Sequence, residues 1–232
     1  VYKRQSLILA VIAALLAAAL CGAFNGFLVA KLNIQPMVAT LILYTAGRGI
    51  AQLVTNGQIT YIRVPSFQMA GGYIGKSPVP TPVLFAIVTV VIVALILKKT
   101  ALGLYIESVG INGKAARLVG LNSTMIKFLT YVICGVLVGI GAIFFVGAYT
   151  TVQPGYGDQY NNEAIAGCVM GGTSMVGGLA SIGGTVIGVF IISLLQQGIM
   201  AFGLGKGQQM IITGLIVIVA VYVDVSARRR KN

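Results

Sequence analysis

The chain has 232 residues, of which 57% are apolar and only 9% are charged. A soluble domain carries about a quarter charged residues, so this chain has too little polar surface to cover a water-facing globule. Its 16 Lys and Arg against 4 Asp and Glu give a net charge of +12, and these cations form short clusters between long apolar runs. This distribution is typical of a protein oriented in a membrane and argues against nucleic-acid binding.

Apolar runs recur along the chain at about the 20-residue length that crosses the hydrocarbon core. We therefore predict an all-α, polytopic transmembrane helical bundle forming a single domain over residues 1–232. The predicted segments are Leu7–Ala30, Pro36–Asn56, Pro82–Leu97, Met125–Tyr149, Glu163–Val176, Ser181–Phe202 and Gln208–Val225. The fifth is marginal in length and rich in glycine, which is typical of a partial or broken helix.

Small residues spaced four apart permit helices to approach closely inside a membrane. Such pairs occur in four of the predicted segments, at Gly22/Gly26, Gly135/Gly139, Gly167/Gly171 and Gly184/Gly188. Ordinary packing between transmembrane helices accounts for each of them.

The positive charges orient the predicted segments. The stretch at 98–127 carries five Lys and Arg against one acid, and the residues at 228–231 are all basic, so both are predicted to be cytoplasmic. The loops at 57–81 and 150–162 are then outside, and the second of these has no Lys or Arg. Both basic stretches can be cytoplasmic only if three segments cross the membrane between Tyr149 and Ser226, so the fifth segment is counted as a crossing. Alternation back toward the N-terminus places Val1 outside. We therefore expect further apolar segments upstream in a longer gene product.

The second predicted span, Pro36–Asn56, is numbered α2 and carries a polar row at every fourth position. We call this set the α2 row: Thr40, Tyr44, Arg48, Gln52 and Asn56. Residues at this spacing lie on one side of a helix. A charged residue inside a span is costly and usually faces a partner or an aqueous cavity. Arg48, Gln52 and Asn56 are therefore candidates to line the path of a polar solute.

The other interpretation of the α2 row is structural. Arg48 lies in the outer half of its span and could snorkel or cap carbonyls, while packing is favoured for Thr40 and Tyr44. Three further candidates for the path lie inside predicted spans, namely Asn25, Gln196 and Gln197. Hydrogen bonding between helices, worth about 0.6 kcal/mol on average, remains the alternative role for each of these amides.

The most informative stretch is Glu107–Asn122, ESVGINGKAARLVGLN, which predicts a short helix in a cytoplasmic loop. Asn112 can cap its start, Lys114–Val119 follow, and Gly120 suits the position just after its end. Its small apolar surface comes from Ala115, Ala116, Leu118 and Val119. Its charges come from Lys114 and Arg117. Such a helix is well shaped to press into a groove on a cytoplasmic partner, and the alternative is a solvated basic loop.

No catalytic constellation is visible in the sequence. The chain has no His, its 4 acids are scattered, and neither a phosphate-binding loop nor a nucleophile motif occurs. We therefore predict no catalytic residue, no metal site and no enzyme activity. If ATP drives this protein, the nucleotide is bound by another chain.

Three blocks of sequence carry a family resemblance. They are NIQPMVATLILYTAGRGIAQLVTNGQIT at 33–60, KTALGLYIESVGINGKAARLVGLN at 99–122 and GGTSMVGGLASIGGTVIG at 171–188. Together they resemble the permeases of bacterial carbohydrate ABC importers of the ribose type, and most of all the galactofuranose-type permeases. The resemblance covers nearly the whole chain.

This resemblance implies a permease that moves a monosaccharide across the bacterial inner membrane, with its C-terminus in the cytoplasm. Such permeases pair with a like or unlike second permease, bind two cytoplasmic ATPase subunits that hold ATP, and receive sugar from a periplasmic binding protein at the outer loops. The residues that match the loop carrying the coupling helix are Glu107, Gly110, Asn112, Ala115, Ala116, Arg117 and Gly120, with Lys114 beside them. Family members have about ten segments, and nothing here matches their early GGIDLS-type block, in keeping with the missing upstream segments.

Two other classes of protein compete with this interpretation. The first is a secondary transporter or channel for a small polar solute. Ion-coupled carriers usually place acids inside their spans, whereas only Glu163 and Asp224 come near a segment here, both at its end. The second is a membrane-embedded assembly subunit with no transport path.

Overall fold

The computed structural model describes residues 7–62, 67, 71–73, 79–174, 177–203 and 205–229, and it is helical over most of them. In chain order the helices are α1 (Leu7–Ala30), α2 (Pro36–Thr55), α3 (Thr81–Lys99), α4 (Ala101–Leu118), α5 (Ser123–Tyr149), α6 (Asp158–Met170), α7 (Ile182–Ala201) and α8 (Lys206–Arg229). Two short strands, β1 (Thr60–Tyr61) and β2 (Thr151–Val152), also occur among these residues.

The predicted all-α transmembrane class is confirmed. The described residues contain five helices that are long and apolar enough to cross a membrane, namely α1, α2, α3, α5 and α7. Helix α1 has the predicted bounds, and the other four begin and end within about two residues of theirs. Pro36 lies in the first turn of α2, where its missing N–H has no carbonyl partner to lose.

Helix α6 differs from the predicted fifth segment. It starts at Asp158, earlier than predicted, because the polar turn that opens it is helical although no apolar run marks it. It ends at Met170, and Gly172 follows with a φ of 80°, a left-handed conformation that stops a helix. With 13 residues it is about 20 Å long, short of the ~30 Å hydrocarbon core. The predicted end of this segment, Val176, lies outside the described residues.

The chain forms two compact units. It passes from the first unit into the second after Val109, returns to the first at Gly113, and enters the second again at Gly157. The first unit thus holds α1, α2, α3, α5, both strands and most of α4. The second holds α6, α7, α8 and the three residues of α4 at 110–112.

In the first unit, α1 packs on α5 through the predicted glycine pairs. A Cβ at Gly22 would lie 2.5 Å from the Tyr131 carbonyl oxygen, and one at Gly135 would lie 2.6 Å from the Ala18 carbonyl oxygen. A Cβ at Gly139 would meet the Ala18 side chain at 2.7 Å. Because real Cβ atoms do not approach so closely, glycine is what allows the two backbones to meet.

We expect Gly135→Leu to separate α1 from α5 and lower the free energy of unfolding by about 1–3 kcal/mol, the usual cost of overpacking. Gly141→Leu is the matched control, since it lies on the same helix with nothing within 4 Å of an added Cβ. Denaturant unfolding of the purified protein in detergent measures both. Equal losses of stability in the two variants would contradict this packing.

The strands join the two loops that the charges predict to be outside. Thr60 pairs with Val152 and Tyr61 with Thr151 in an antiparallel ladder, and the Ile62 N–H donates to the Thr150 carbonyl at 2.9 Å. The start of the loop at 57–81 is therefore tied to the start of the loop at 150–162, and both of these paired stretches belong to the first unit. Residues 63–66, 68–70 and 74–78 of the first loop lie outside the described residues.

Candidate coupling segment and solute path

The stretch predicted to bind a cytoplasmic partner forms most of α4. This helix follows α3 after a single residue, Thr100, whose hydroxyl donates to the Ile96 carbonyl at 2.6 Å. A Cβ at Gly103 would overlap the Leu97 backbone, so the corner between α3 and α4 requires glycine. Sequence reasoning missed the helical start of α4, because its apolar residues are too few and too interrupted to count as a span.

Helix α4 is kinked at Asn112, whose φ of −153° and ψ of 95° are non-helical. The short helix predicted to start there is thus confirmed as a distinct last part of α4, residues 113–118. We call these residues, together with the C-cap residue Val119, the coupling segment. It ends as predicted at Gly120, which has a φ of 85°. The Gly120 N–H donates to Arg117 and the Leu121 N–H to Ala116, each at 3.0 Å, which is the paired-bond C-cap that favours glycine.

The coupling segment is fixed to the start of α5. The Ser123 hydroxyl, only 1% exposed, donates to the Gly113 carbonyl at 2.9 Å. Arg117 Nη2 donates to Thr124 Oγ1 at 3.2 Å, and Asn122 Oδ1 caps α5 by accepting from the Met125 N–H at 3.0 Å. Two side-chain hydrogen bonds therefore join the coupling segment to the first turn of α5.

The coupling segment presents a small apolar surface between charges. Leu118 is 90% exposed and Val119 77%, and Lys114, Ala115 and Arg117 are exposed beside them. Ala116, which the sequence also assigned to this surface, is instead only 5% exposed. It lies one helical turn from Gly113, on the side that bonds to α5, so it supports the segment from within.

We expect Gly120→Val to lower the free energy of unfolding by at least about 1 kcal/mol, because a β-branched residue resists the left-handed conformation. Gly120→Asn is the control, since asparagine tolerates that conformation, and it should lose less than half as much. The two are compared by denaturant unfolding in detergent. A valine variant as stable as the asparagine variant would contradict this C-cap.

The α2 row is exposed along its whole length, while the neighbouring row of Ala39, Leu43, Gly47, Ala51 and Thr55 is buried or half-buried. The Thr40 hydroxyl lies 3.1 Å from the Pro36 carbonyl oxygen, so its own helix satisfies it. The Arg48 guanidinium carbon is 5.5 Å from the centre of the Tyr44 ring, within range of a cation–π interaction. Arg48, Gln52 and Asn56 thus remain on one open face.

The other candidates for the path are distributed over both units. Asn25 in the first unit and Gln196 in the second are half-buried, and Gln197 is exposed. Within the part of the chain that the structure describes, Asn25 Oδ1 and Gln196 Nε2 are shielded from solvent and have no hydrogen-bond partner. A buried acceptor such as Asn25 Oδ1 favours a hydrogen-bond donor as its partner, and a buried donor such as Gln196 Nε2 favours an acceptor.

Residues 1–221 match the model of a protein family described as the permease component of the branched-chain amino acid transport system. The chain is 37% identical to the galactofuranose transporter permease protein of Escherichia coli K12 over 94% of its length, covering 64% of that protein. It is 36% identical to the ribose import permease protein of the same strain, covering 94% of this chain and 68% of that protein. With the fructose import permease protein of Bifidobacterium longum it shares 34% identity, over 91% of this chain and 60% of that protein.

These matches confirm the resemblance that the three sequence blocks indicate. The chain spans somewhat less than two thirds of the length of the galactofuranose permease. No solved structure matches it.

Proposed function

The chain belongs to this family of transport permease components, and from that premise we propose that it is the membrane-spanning subunit of an ATP-driven importer of a monosaccharide. The sugars in the names of its relatives support the substrate class. The observation that carries the proposal is the coupling segment, which lies between two spans and exposes two large apolar side chains, Leu118 and Val119. It is hydrogen-bonded to the start of α5. We place the protein in the bacterial inner membrane with its C-terminus in the cytoplasm.

In this proposal the coupling segment docks in a groove of a cytoplasmic ATPase subunit, which binds and hydrolyses the ATP. Burying Leu118 and Val119 would contribute about 1.5–3 kcal/mol each, and the exposed Lys114 and Arg117 would orient the complex by charge. ATP-driven closure of two ATPase subunits would then displace the coupling segment as a rigid body. The Ser123–Gly113 hydrogen bond passes that displacement to α5.

The α2 row supplies the sugar path in the same proposal. An arginine that faces lipid near the centre of a span costs about 3 kcal/mol, so this row is expected to face an aqueous cavity or a second permease subunit. The amides of Gln52 and Asn56 offer donors and acceptors for sugar hydroxyls. Asn25, Gln196 and Gln197 add amides of the same kind, and a periplasmic sugar-binding protein delivers the sugar at the outer loops.

Purification of the tagged protein from its native membrane in mild detergent tests the proposal. We expect an ATPase subunit and a second permease subunit to copurify, and ATP hydrolysis to rise when the sugar-loaded binding protein is added. A protein that imports a solute in response to an ion gradient, with no ATPase attached, would overturn the proposal in favour of a secondary transporter.

A further inference from the structure

Besides its hydrogen bonds to α5, helix α4 makes a contact through residues that precede the coupling segment. Gly110, Ile111 and Asn112 belong to the second unit, although the residues on either side of them belong to the first. Within that unit Gly110 and Ile111 lie against Gly177 and Gly178, in the loop between α6 and α7. This contact is made largely of backbone.

The contact requires glycine on both sides. A Cβ at Gly110 would lie 2.7 Å from the Gly178 nitrogen, and a Cβ at Gly178 would lie 2.6 Å from Ile111 Cγ1. Gly177 and Gly178 also have φ values of 104° and 81°, which side-chain-bearing residues rarely adopt. Gly110 therefore meets the Gly178 backbone directly, and the Ile111 side chain lies beside Gly178, so neither backbone can move toward the other without displacing these atoms.

The loop that receives this contact is held to the ends of α6 and α7. The Ser174 N–H donates to the Leu179 carbonyl at 3.1 Å, and the Thr173 and Thr185 hydroxyls are hydrogen-bonded at 2.8 Å. The Ser181 N–H donates to Thr173 Oγ1 at 3.3 Å, and Ser181 Oγ caps α7. A Cβ at Gly171 would overlap Gly184, so the helices touch just behind the loop and would move with it.

We propose that the contact of Gly110–Ile111 with Gly177–Gly178 is a joint that passes movement of the coupling segment to α6 and α7. The coupling segment continues directly from these residues after the kink at Asn112. A displacement of the coupling segment then acts at two places, on α5 through Ser123 and on α6 and α7 through this joint. This inference rests on the proposed function, because it needs an ATPase that moves the coupling segment.

The test compares Gly110→Ala with Gly183→Ala in the assembled transporter. Both glycines lie in helices of the second unit, but an added Cβ at Gly183 has nothing within 4 Å. We expect Gly110→Ala to lower sugar uptake per ATP hydrolysed by at least about tenfold, and Gly183→Ala to change it by less than about twofold. Both should retain the ATPase subunit. Coupling kept within about twofold in Gly110→Ala, or lost equally in both, would overturn the joint.

A measurement on the unsubstituted transporter keeps the inference testable if Gly110→Ala fails to assemble. Hydrogen exchange of the peptides that cover 171–184 is followed with and without a non-hydrolysable ATP analogue. We expect the analogue to change their exchange together with that of the coupling segment. If the analogue changes the hydrogen exchange of the coupling segment but not that of the 171–184 peptides, the joint alone is overturned. If no ATPase is present in the purified protein, the proposed function itself is overturned.

Discussion

Replacing Leu118 by Asp is expected to detach the ATPase subunit and abolish uptake. Leu118 is 90% exposed, more than the other large apolar side chain of the coupling segment, Val119, and docking would bury it. The substitution removes about 2 kcal/mol of apolar burial and forces a carboxylate to lose water, which together should weaken association by at least about a hundredfold. Copurification of the ATPase with the tagged protein, followed by sugar uptake in cells, measures the effect.

The matched control is Leu32→Asp, the same change at another exposed leucine. Leu32 follows Lys31 in the turn between α1 and α2, which the charge pattern also predicts to be cytoplasmic. The Leu32→Asp variant should keep the ATPase subunit bound and should take up sugar at a rate within about twofold of the original. An ATPase that stays bound to the Leu118→Asp variant would exclude this surface as the docking site.

Replacing Gln52 by Leu is expected to lower uptake by at least about tenfold without loss of the ATPase, and Arg48→Met should do the same. Both side chains lie on the open face of the α2 row. A site that hydrogen-bonds the hydroxyls of a sugar loses much of its affinity when one polar partner disappears, because the remaining groups are left unpaired. Initial rates of uptake at several sugar concentrations, with ATPase copurification measured in parallel, separate transport from assembly.

Thr45→Val serves as the control for the α2 row. Thr45 lies on the same helix, but its hydroxyl bonds to the Leu41 carbonyl at 3.0 Å, so its polarity is already satisfied within α2. We expect uptake by this variant to stay within about twofold of the original. If Gln52→Leu and Arg48→Met transport as well as Thr45→Val, the α2 row serves only assembly or lipid anchoring.

The sequence was sufficient wherever a structural feature depends on local pattern. Helix α1 has the predicted bounds because one long run defines it, in which Asn25 is the single strongly polar residue. Gly120 ends α4 as predicted because a left-handed C-cap selects glycine locally. The first part of α4 was missed because Leu102, Ile106 and Val109 recur at helical spacing over too few residues to register as a span.

Features that depend on contacts between distant residues could not be predicted. The periodicity of the sequence shows that glycines are abundant, but it does not show that Gly110 meets Gly178 or that Gly22 meets Tyr131. For the same reason Ala116 was assigned to the surface, since only the hydrogen bond between Ser123 and Gly113 reveals which side of the coupling segment faces α5. Composition and spacing describe one helix at a time, and these sites lie where helices meet.

Reconstitution of the purified transporter into liposomes tests the central claim most directly. Vesicles are loaded with ATP, and the binding protein with its radiolabelled sugar is added on the side opposite the ATPase. We predict accumulation of the sugar that requires ATP, stops when the ATPase subunit is omitted, and persists when all ion gradients are abolished by ionophores. Accumulation that continues without the ATPase and disappears with the ion gradients would contradict the account.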